Sequence, residues 1–353
     1  MRENNQLKLF RNPKFPTTRY QGSKVKLIDW IWDKIKGFEF DTVLDAFGGT
    51  GSVGYKLKQE GKEVAYNDYL KFNWYIGLAL IENDNVLLEK DDINSILYED
   101  INENNLSFIY DTFNDIYFTD EENKWLDNVI SNIKHIDNIF KQAIAYASLF
   151  QACLVKRPFN LFHRKNLYLR FNDVERSFGN KVTWDTPFEE HYRKYISEIN
   201  NAIFSNNRKN KAINYDVFQI NQHFDLIYID TPYISSKGVG VDYLGFYHFL
   251  EGIVNYSNWG NLLNLKSKHK RMVNHNNSAW AKPKEIYESF EKLIKKYQDS
   301  ILVISYRSDG IPSIIELKSL LKKYKSNVIE ERKSNYKYVL SKTKTEEVLL
   351  IGI

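Results

Sequence analysis

Three glycines set between an apolar run and a helix restrict this chain more than any other feature. Residues 41–55 read as strand, glycine loop and helix. Val43 and Leu44 give a buried strand and Asp45 ends it; Gly49, Gly51 and Gly54 follow in a G-x-G-x-x-G spacing. Glycines so spaced let a backbone turn tightly and let a ligand approach it closely. The helix is expected from about Ser52 to Gln59 and stops at Gly61, a C-terminal signal. A second strand over residues 63–67 ends at Asp68. An acid at the tip of the second strand suits the two hydroxyls of a ribose. These residues predict an α/β sheet with a site for an adenosine-like cofactor.

The spacing alone also fits a nicotinamide dinucleotide. Asp45 before the glycines would repel a pyrophosphate but not a sulfonium. Phe47 beside them offers apolar surface rather than phosphate donors. The local chemistry suits S-adenosylmethionine better, with a nicotinamide dehydrogenase as a distant alternative.

A second apolar run, residues 224–229, leads directly into Asp230, Thr231, Pro232 and Tyr233. Open α/β sheets bind ligands beyond the carboxyl ends of their strands. An Asp side chain and the Thr231 carbonyl can accept both protons of an exocyclic amine, and a Tyr ring can stack on the base that carries it. Such an amine is a poor nucleophile, since its lone pair is delocalised into the ring. Acceptors aimed at its protons favour the tetrahedral nitrogen that attacks a methyl donor.

With these motifs assembled, the chain resembles the Dam-like (α-group) N6-adenine DNA methyltransferases. Residues 18–24, with Tyr20 and Lys24, look like that family's N-terminal cofactor motif. Residues 45–51 look like its glycine loop, Asp68 like its ribose-binding acid, and Asp216 with Phe218 like the pair that contacts the cofactor adenine. Asp230 to Tyr233 look like its catalytic Asp-Pro-Pro-Tyr, with Thr231 in place of the first proline. Thr keeps the backbone carbonyl and loses only ring rigidity. The resemblance implies a cofactor set of Tyr20, Lys24, Asp45, Phe47, Gly49, Gly51, Asp68, Asp216, Phe218 and Asp230. It implies a catalytic set of Asp230, Thr231, Pro232 and Tyr233. It also implies double-stranded DNA as substrate and leaves room for a cognate restriction endonuclease acting on the same site.

The expected fold is therefore α/β: a Rossmann-like S-adenosylmethionine-dependent methyltransferase sheet with an inserted, mainly helical DNA-recognition lobe. Residues 1–70 and 211–353 are assigned to the catalytic domain and residues 71–210 to the insert. An insertion this long between strands is normally a lobe rather than a loop. Helices are expected over residues 121–140, capped by Thr119 and Asp120, and over 141–154, 192–204 and 283–297. Strands are expected over residues 301–306, 327–333, 336–340 and 347–353, the last three forming an antiparallel edge.

Within the insert, residues 156–170 carry five Lys or Arg residues in fifteen positions, interleaved with aromatics. Lys156, Arg157, Arg164, Lys165 and Arg170 are candidates for phosphate or guanine contacts. Phe159, Phe162 and Tyr168 are candidates for core packing or for filling the gap left by a flipped base. Residues 266–271 are a second basic candidate.

Composition bounds the remainder. The net charge of +4 is mild, so DNA binding requires positive charge gathered on one face. Cys153 is the single cysteine, so no intrachain disulfide can form, which favours a reducing, cytoplasmic setting. No apolar run spans a bilayer and no leader is evident, so no membrane association is expected. The seven His are scattered without metal-ligand spacing, so no metal is expected. Three other readings remain at this stage. One is methylation of another planar amine: cytosine N4, RNA guanine or protein glutamine. Another is a DNA-binding protein of the same fold without turnover. The nicotinamide enzyme is the third.

Overall fold

The computed structural model describes residues 13–99, 107–172, 181–273, 278–334 and 345–353. A central seven-stranded sheet organises the chain: β1 (Thr42–Asp45), β2 (Glu63–Asn67), β3 (Lys211–Ile213), β4 (Leu226–Ile229), β6 (Ile301–Arg307), β8 (Val328–Lys333) and β9 (Glu347–Gly352), in the order β3-β2-β1-β4-β6-β9-β8. Two short strands, β5 (Ile234–Ser235) and β7 (Gly310–Ile311), pair antiparallel beside it. Strands β3, β2, β1, β4 and β6 run parallel, and β9 runs antiparallel between β6 and β8. This is the expected Rossmann-like arrangement. Strands β1 and β4 read as unbroken apolar runs because both faces of a parallel sheet are covered. The expected strand over residues 336–340 lies outside the described residues.

The chain winds outward from β1 through β2 to β3, then returns to β4 on the other side of β1. The crevice beyond the ends of β1 and β4 is thus the switch point where such sheets take ligands. Asp45 closes β1 and Asp230 follows β4, with Asp45 in register with Tyr228.

Between β2 and β3 the described residues are mainly helical. Helix α1 (Asp120–Lys134) opens on a reciprocal capping box between Thr119 and Glu122. Helix α2 (Ile139–Val155) is buried from Ala143 to Val155, as expected of a helix apolar all round. The break between them falls at residues 135–138, a few residues before the expected boundary, because Asn138 accepts from the amides of Phe140 and Lys141 and restarts the helix. Helix α3 (Phe188–Ala202) packs on α2. The lobe is not a free-standing body. Ile144, Leu149 and Tyr192 belong to the same buried cluster as Val43 and Leu226 of the sheet. After β4, helix α4 (Tyr243–Val254) and helix α5 (Ile286–Lys296) follow, the latter three residues shorter at its start than expected.

Candidate active site

The glycine loop is held open by specific contacts. Gly49 and Gly51 sit at φ +52° and +75°, where other residues are strained. A Cβ on Gly48 would meet the Tyr66 ring at 2.0 Å. Asp45 is buried and accepts from the Gly54 amide at 3.0 Å, capping the helix that the loop opens into. Asp68 accepts from Gly49 at 2.9 Å and from Leu70 at 2.8 Å, which ties the tip of β2 to the loop. Burial pushes the Asp45 carboxyl up to about 7 and the Asp68 carboxyl up to about 6.

Tyr20 stands over the loop, its ring 3.7 Å from where a Gly49 Cβ would lie. It stacks on Tyr247 at 4.5 Å and on Tyr243 at 5.8 Å, and the Tyr247 hydroxyl accepts from the Gln21 amide at 2.7 Å. Helix α4 therefore fastens the N-terminal segment to the crevice. On the other side, Phe47 meets Trp280 edge-on at 5.0 Å and Phe218 stacks on Trp280 at 5.8 Å. Asp216 is exposed and accepts from the Phe218 amide at 2.9 Å.

Asp230 lies at the centre. Lys24 donates to its Oδ1 at 2.9 Å, and so does the Tyr233 hydroxyl at 2.9 Å. Among the described residues nothing donates to Oδ2. Burial raises the Asp230 carboxyl to about 6, against the pull of Lys24 and with a push from Glu347. The Lys24 ammonium also bonds the Tyr233 hydroxyl and lies 4.9 Å from the centre of its ring. Tyr233 is buried and meets Tyr306 edge-on at 5.2 Å. Thr231 is buried, Pro232 half-buried. This arrangement offers a poised carboxylate acceptor beside a cleft of apolar rings and desolvated acids.

The profile of the D12 class N6 adenine-specific DNA methyltransferases matches residues 20–301. The chain is 30% identical over 318 residues to the type II methyltransferase M2.HphI of Haemophilus parahaemolyticus, covering 88% of each chain. It belongs to the D12 class N6 adenine-specific DNA methyltransferase family. Two further relatives are longer. Modification methylase LlaI of Lactococcus lactis subsp. lactis is 27% identical over 90% of this chain and 50% of its own. Type II methyltransferase M.FokI of Planomicrobium okeanokoites is 26% identical over 87% of this chain and 47% of its own.

In this D12-class enzyme the expected cofactor and catalytic residues gather at one crevice, where Lys24 engages Asp230, Tyr233 and Glu347. The basic segment is arranged differently. Lys156 is buried, paired with Glu122 at 2.7 Å and bonded to the Thr186 carbonyl. Arg170 grips the same Glu122 with both nitrogens, at 2.6 and 2.8 Å. Arg157 is fully buried under the rings of Tyr117 and Phe162 and donates to the carbonyls of Tyr117, Leu161 and Arg164 and to Asn166. These three cations hold the lobe together and do not face solvent as a phosphate contact would. Arg164 and Lys165 are exposed, the latter paired with Asp115 at 2.7 Å. Phe162 is core, whereas Phe159 and Tyr168 are exposed.

Several residues were not singled out from the sequence. Tyr243 and Tyr247 stand one helical turn apart, a spacing that places both on one face. Trp280 has no sequence signal. Glu347 is an acid at the start of the apolar run 348–353, an anomaly that invites a question. Tyr117 is the least visible. Its hydroxyl lies 2.8 Å from the Phe162 carbonyl and 2.6 Å from the His269 carbonyl, so it joins the two basic segments.

Proposed function

We propose that this D12-class enzyme transfers a methyl group from S-adenosylmethionine to the N6 amine of an adenine turned out of double-stranded DNA. The observation that carries the reading is Asp230: both protein donors share Oδ1, and among the described residues none donates to Oδ2, which keeps its acceptor capacity for an incoming amine. The residues fit the cofactor. Asp68 keeps acceptor capacity for ribose hydroxyls, Asp216 for an adenine amine, and the Phe47, Trp280 and Phe218 rings offer an apolar wall. The cofactor supplies an electrophilic methyl on a positive sulfur. Asp230 Oδ2 and the Thr231 carbonyl accept the two amine protons. Held in this way, the amine would present its lone pair to that methyl, and the proton it must then lose would pass by way of Asp230 Oδ2 to solvent, so no strong base is required. Alignment of the reacting atoms supplies much of the acceleration, ~7–11 kcal/mol in well-oriented systems.

Residues 71–210 are proposed as the target-recognition lobe. Its DNA-facing charge is assigned to Arg164 and Lys165 together with Lys266, Lys268 and Arg271, which are exposed on the two segments that Tyr117 joins. Lys156, Arg157 and Arg170 shape that face from beneath. A place in restriction-modification, with an endonuclease that reads the same sequence, fits the type II relatives, and the cytoplasm is the setting where DNA is available. Among the described residues no helix is long and apolar enough to cross a membrane.

The test is chemical. Duplex DNA treated with the protein and S-adenosylmethionine is digested to nucleosides, and N6-methyladenine is expected. Methylcytosine alone would reassign the acceptor. Cofactor binding with no methylated base would favour a binding protein without turnover.

A further inference from the structure

We propose that Glu347 is a positioning residue of this active site, acting on the target amine through Tyr233, Lys24 and Asp230. The proposal rests on the reading of Asp230 as the amine's acceptor.

Glu347 opens β9, in register with Arg307 of β6, and is fully buried. Its Oε1 accepts from Ser305, lies 3.3 Å from the Tyr233 hydroxyl and 3.5 Å from the Lys24 ammonium. One cation thus stands between two carboxylates, with Asp230 at 2.9 Å on its other side. Packing does not require an acid here. A glutamine carbonyl would accept from Ser305 and Tyr233 equally well, and a buried ion is costly to desolvate. What the charge adds is electrostatic. Glu347 draws Lys24 partly away from Asp230, so Asp230 keeps more of its negative character for the amine. The amine nitrogen gains positive charge as it takes the methyl. Two carboxylates flanking one cation, fixed before reaction, stabilise that developing charge without reorganisation. Holding the Tyr233 hydroxyl also sets the angle of the catalytic turn.

Glu347→Gln in the full chain keeps the shape and removes only the charge. The expected kcat falls about 10- to 100-fold, at or below the scale of losing one preorganised group in direct contact with the reacting atoms. Cofactor affinity by calorimetry changes by less than about threefold, because ground-state binding is not involved. A second readout needs no activity. In cofactor-free protein with 13C-labelled aspartate carboxyls, the Asp230 resonance, assigned with Asp230→Asn, titrates near 6. The groups that act on Asp230 are Lys24, Tyr233 and Glu347, and the Asp230 charge in turn reaches Asp45, Tyr228 and Tyr243. Only Glu347 changes, and it repels, so the Asp230 titration and the acid limb of kcat both move to lower pH. Combined with Tyr233→Phe, Glu347→Gln costs no more than the larger single effect, as expected of residues acting in one chain.

An unshifted Asp230 titration with unchanged kcat overturns the proposal. So does a loss of kcat matched by lost thermal stability with the titration unshifted, which marks a merely structural acid. If Glu347→Gln fails to fold, Ser305→Ala, which loosens the same carboxylate, shows smaller changes in the same directions; no change in either readout overturns the proposal. Because the titration needs no DNA, a failure of the methylation reading and a failure of this network are told apart.

Discussion

Two clusters of charge in this molecule look alike in composition and behave in opposite ways. At the crevice, Lys24 is shared between Asp230 and Glu347, and among the described residues none donates to Asp230 Oδ2. In the lobe, Glu122 is shared between Lys156 and Arg170, and every charge is turned inward. The first has an acid in excess and the second a base in excess. The first gathers at one end of the sheet, where Asp230 follows parallel β4 and Glu347 opens antiparallel β9. The second lies between helices, where long cationic side chains can fold back on the core. Two bases closed around one acid fix the shape of the lobe, whereas two acids around one base are the arrangement proposed to serve the chemistry.

The largest expected effect separates the two. Asp230→Ala lowers methyl transfer by about 100- to 1,000-fold, the cost of removing one preorganised polar group, while its melting temperature stays near that of the parent. Arg157→Ala does the reverse. It leaves the carbonyls of Tyr117, Leu161 and Arg164 without a donor and costs about 2–4 kcal/mol of stability in denaturant titrations. An Arg157→Ala protein that melts normally but loses DNA affinity would erase the distinction.

The clusters also respond to pH with opposite signs. Asp45, Asp68 and Asp230 are raised by burial to about 7, 6 and 6. Each binds its proton more tightly folded than unfolded. Their contribution to stability is complete below the ordinary 3.8 and is lost as pH rises through 6 to 7. For Glu122, burial alone would raise the carboxyl, but Arg170 and Lys156 outweigh it and hold it below the usual 4.5. Its contribution is present above 4.5 and is lost as pH falls through its lower folded value. Melting curves of the cofactor-free protein should therefore improve on acidification from about 7.5 to 5, in proportion to these carboxyls, and worsen again below 4.5. Turnover should instead fall below about 6, as Asp230 takes its proton. Asp230→Asn should remove part of the stability rise, and Glu122→Gln part of the loss at low pH.

Smaller effects sharpen the comparison at the surface. Arg164→Ala and Lys165→Ala should each weaken DNA binding alike on cognate and scrambled duplexes, with a log–log salt slope smaller by about one per lost phosphate contact. Smallest of all, Thr231→Pro should change turnover by less than about 1 kcal/mol in barrier, because the carbonyl stays and the turn stiffens.

The crevice was legible in the sequence because strand-end motifs carry geometry with them. Asp45, Asp68 and Asp230 each follow an apolar run, so their place beyond a sheet edge follows from chain direction. The basic segment was legible only as composition. Lys156, Arg157 and Arg170 read as phosphate contacts because nothing local shows that Glu122, over thirty positions earlier, will claim two of them. Glu347 and Trp280 were missed for the same reason: their partners lie far away in the chain, and only the folded sheet brings them together.

The meeting of Lys24 with Glu347 has a consequence for how the protein is made. The turn after β4 is bracketed by a residue from an early part of the chain and one from a later part, and β9 enters the sheet between strands that precede it in the sequence. Before β9 is inserted between β6 and β8, Lys24 has Asp230 beside it and lacks Glu347. Until β9 docks, the turn after β4 is therefore held from one side only, so the crevice is completed in the same step that completes the sheet.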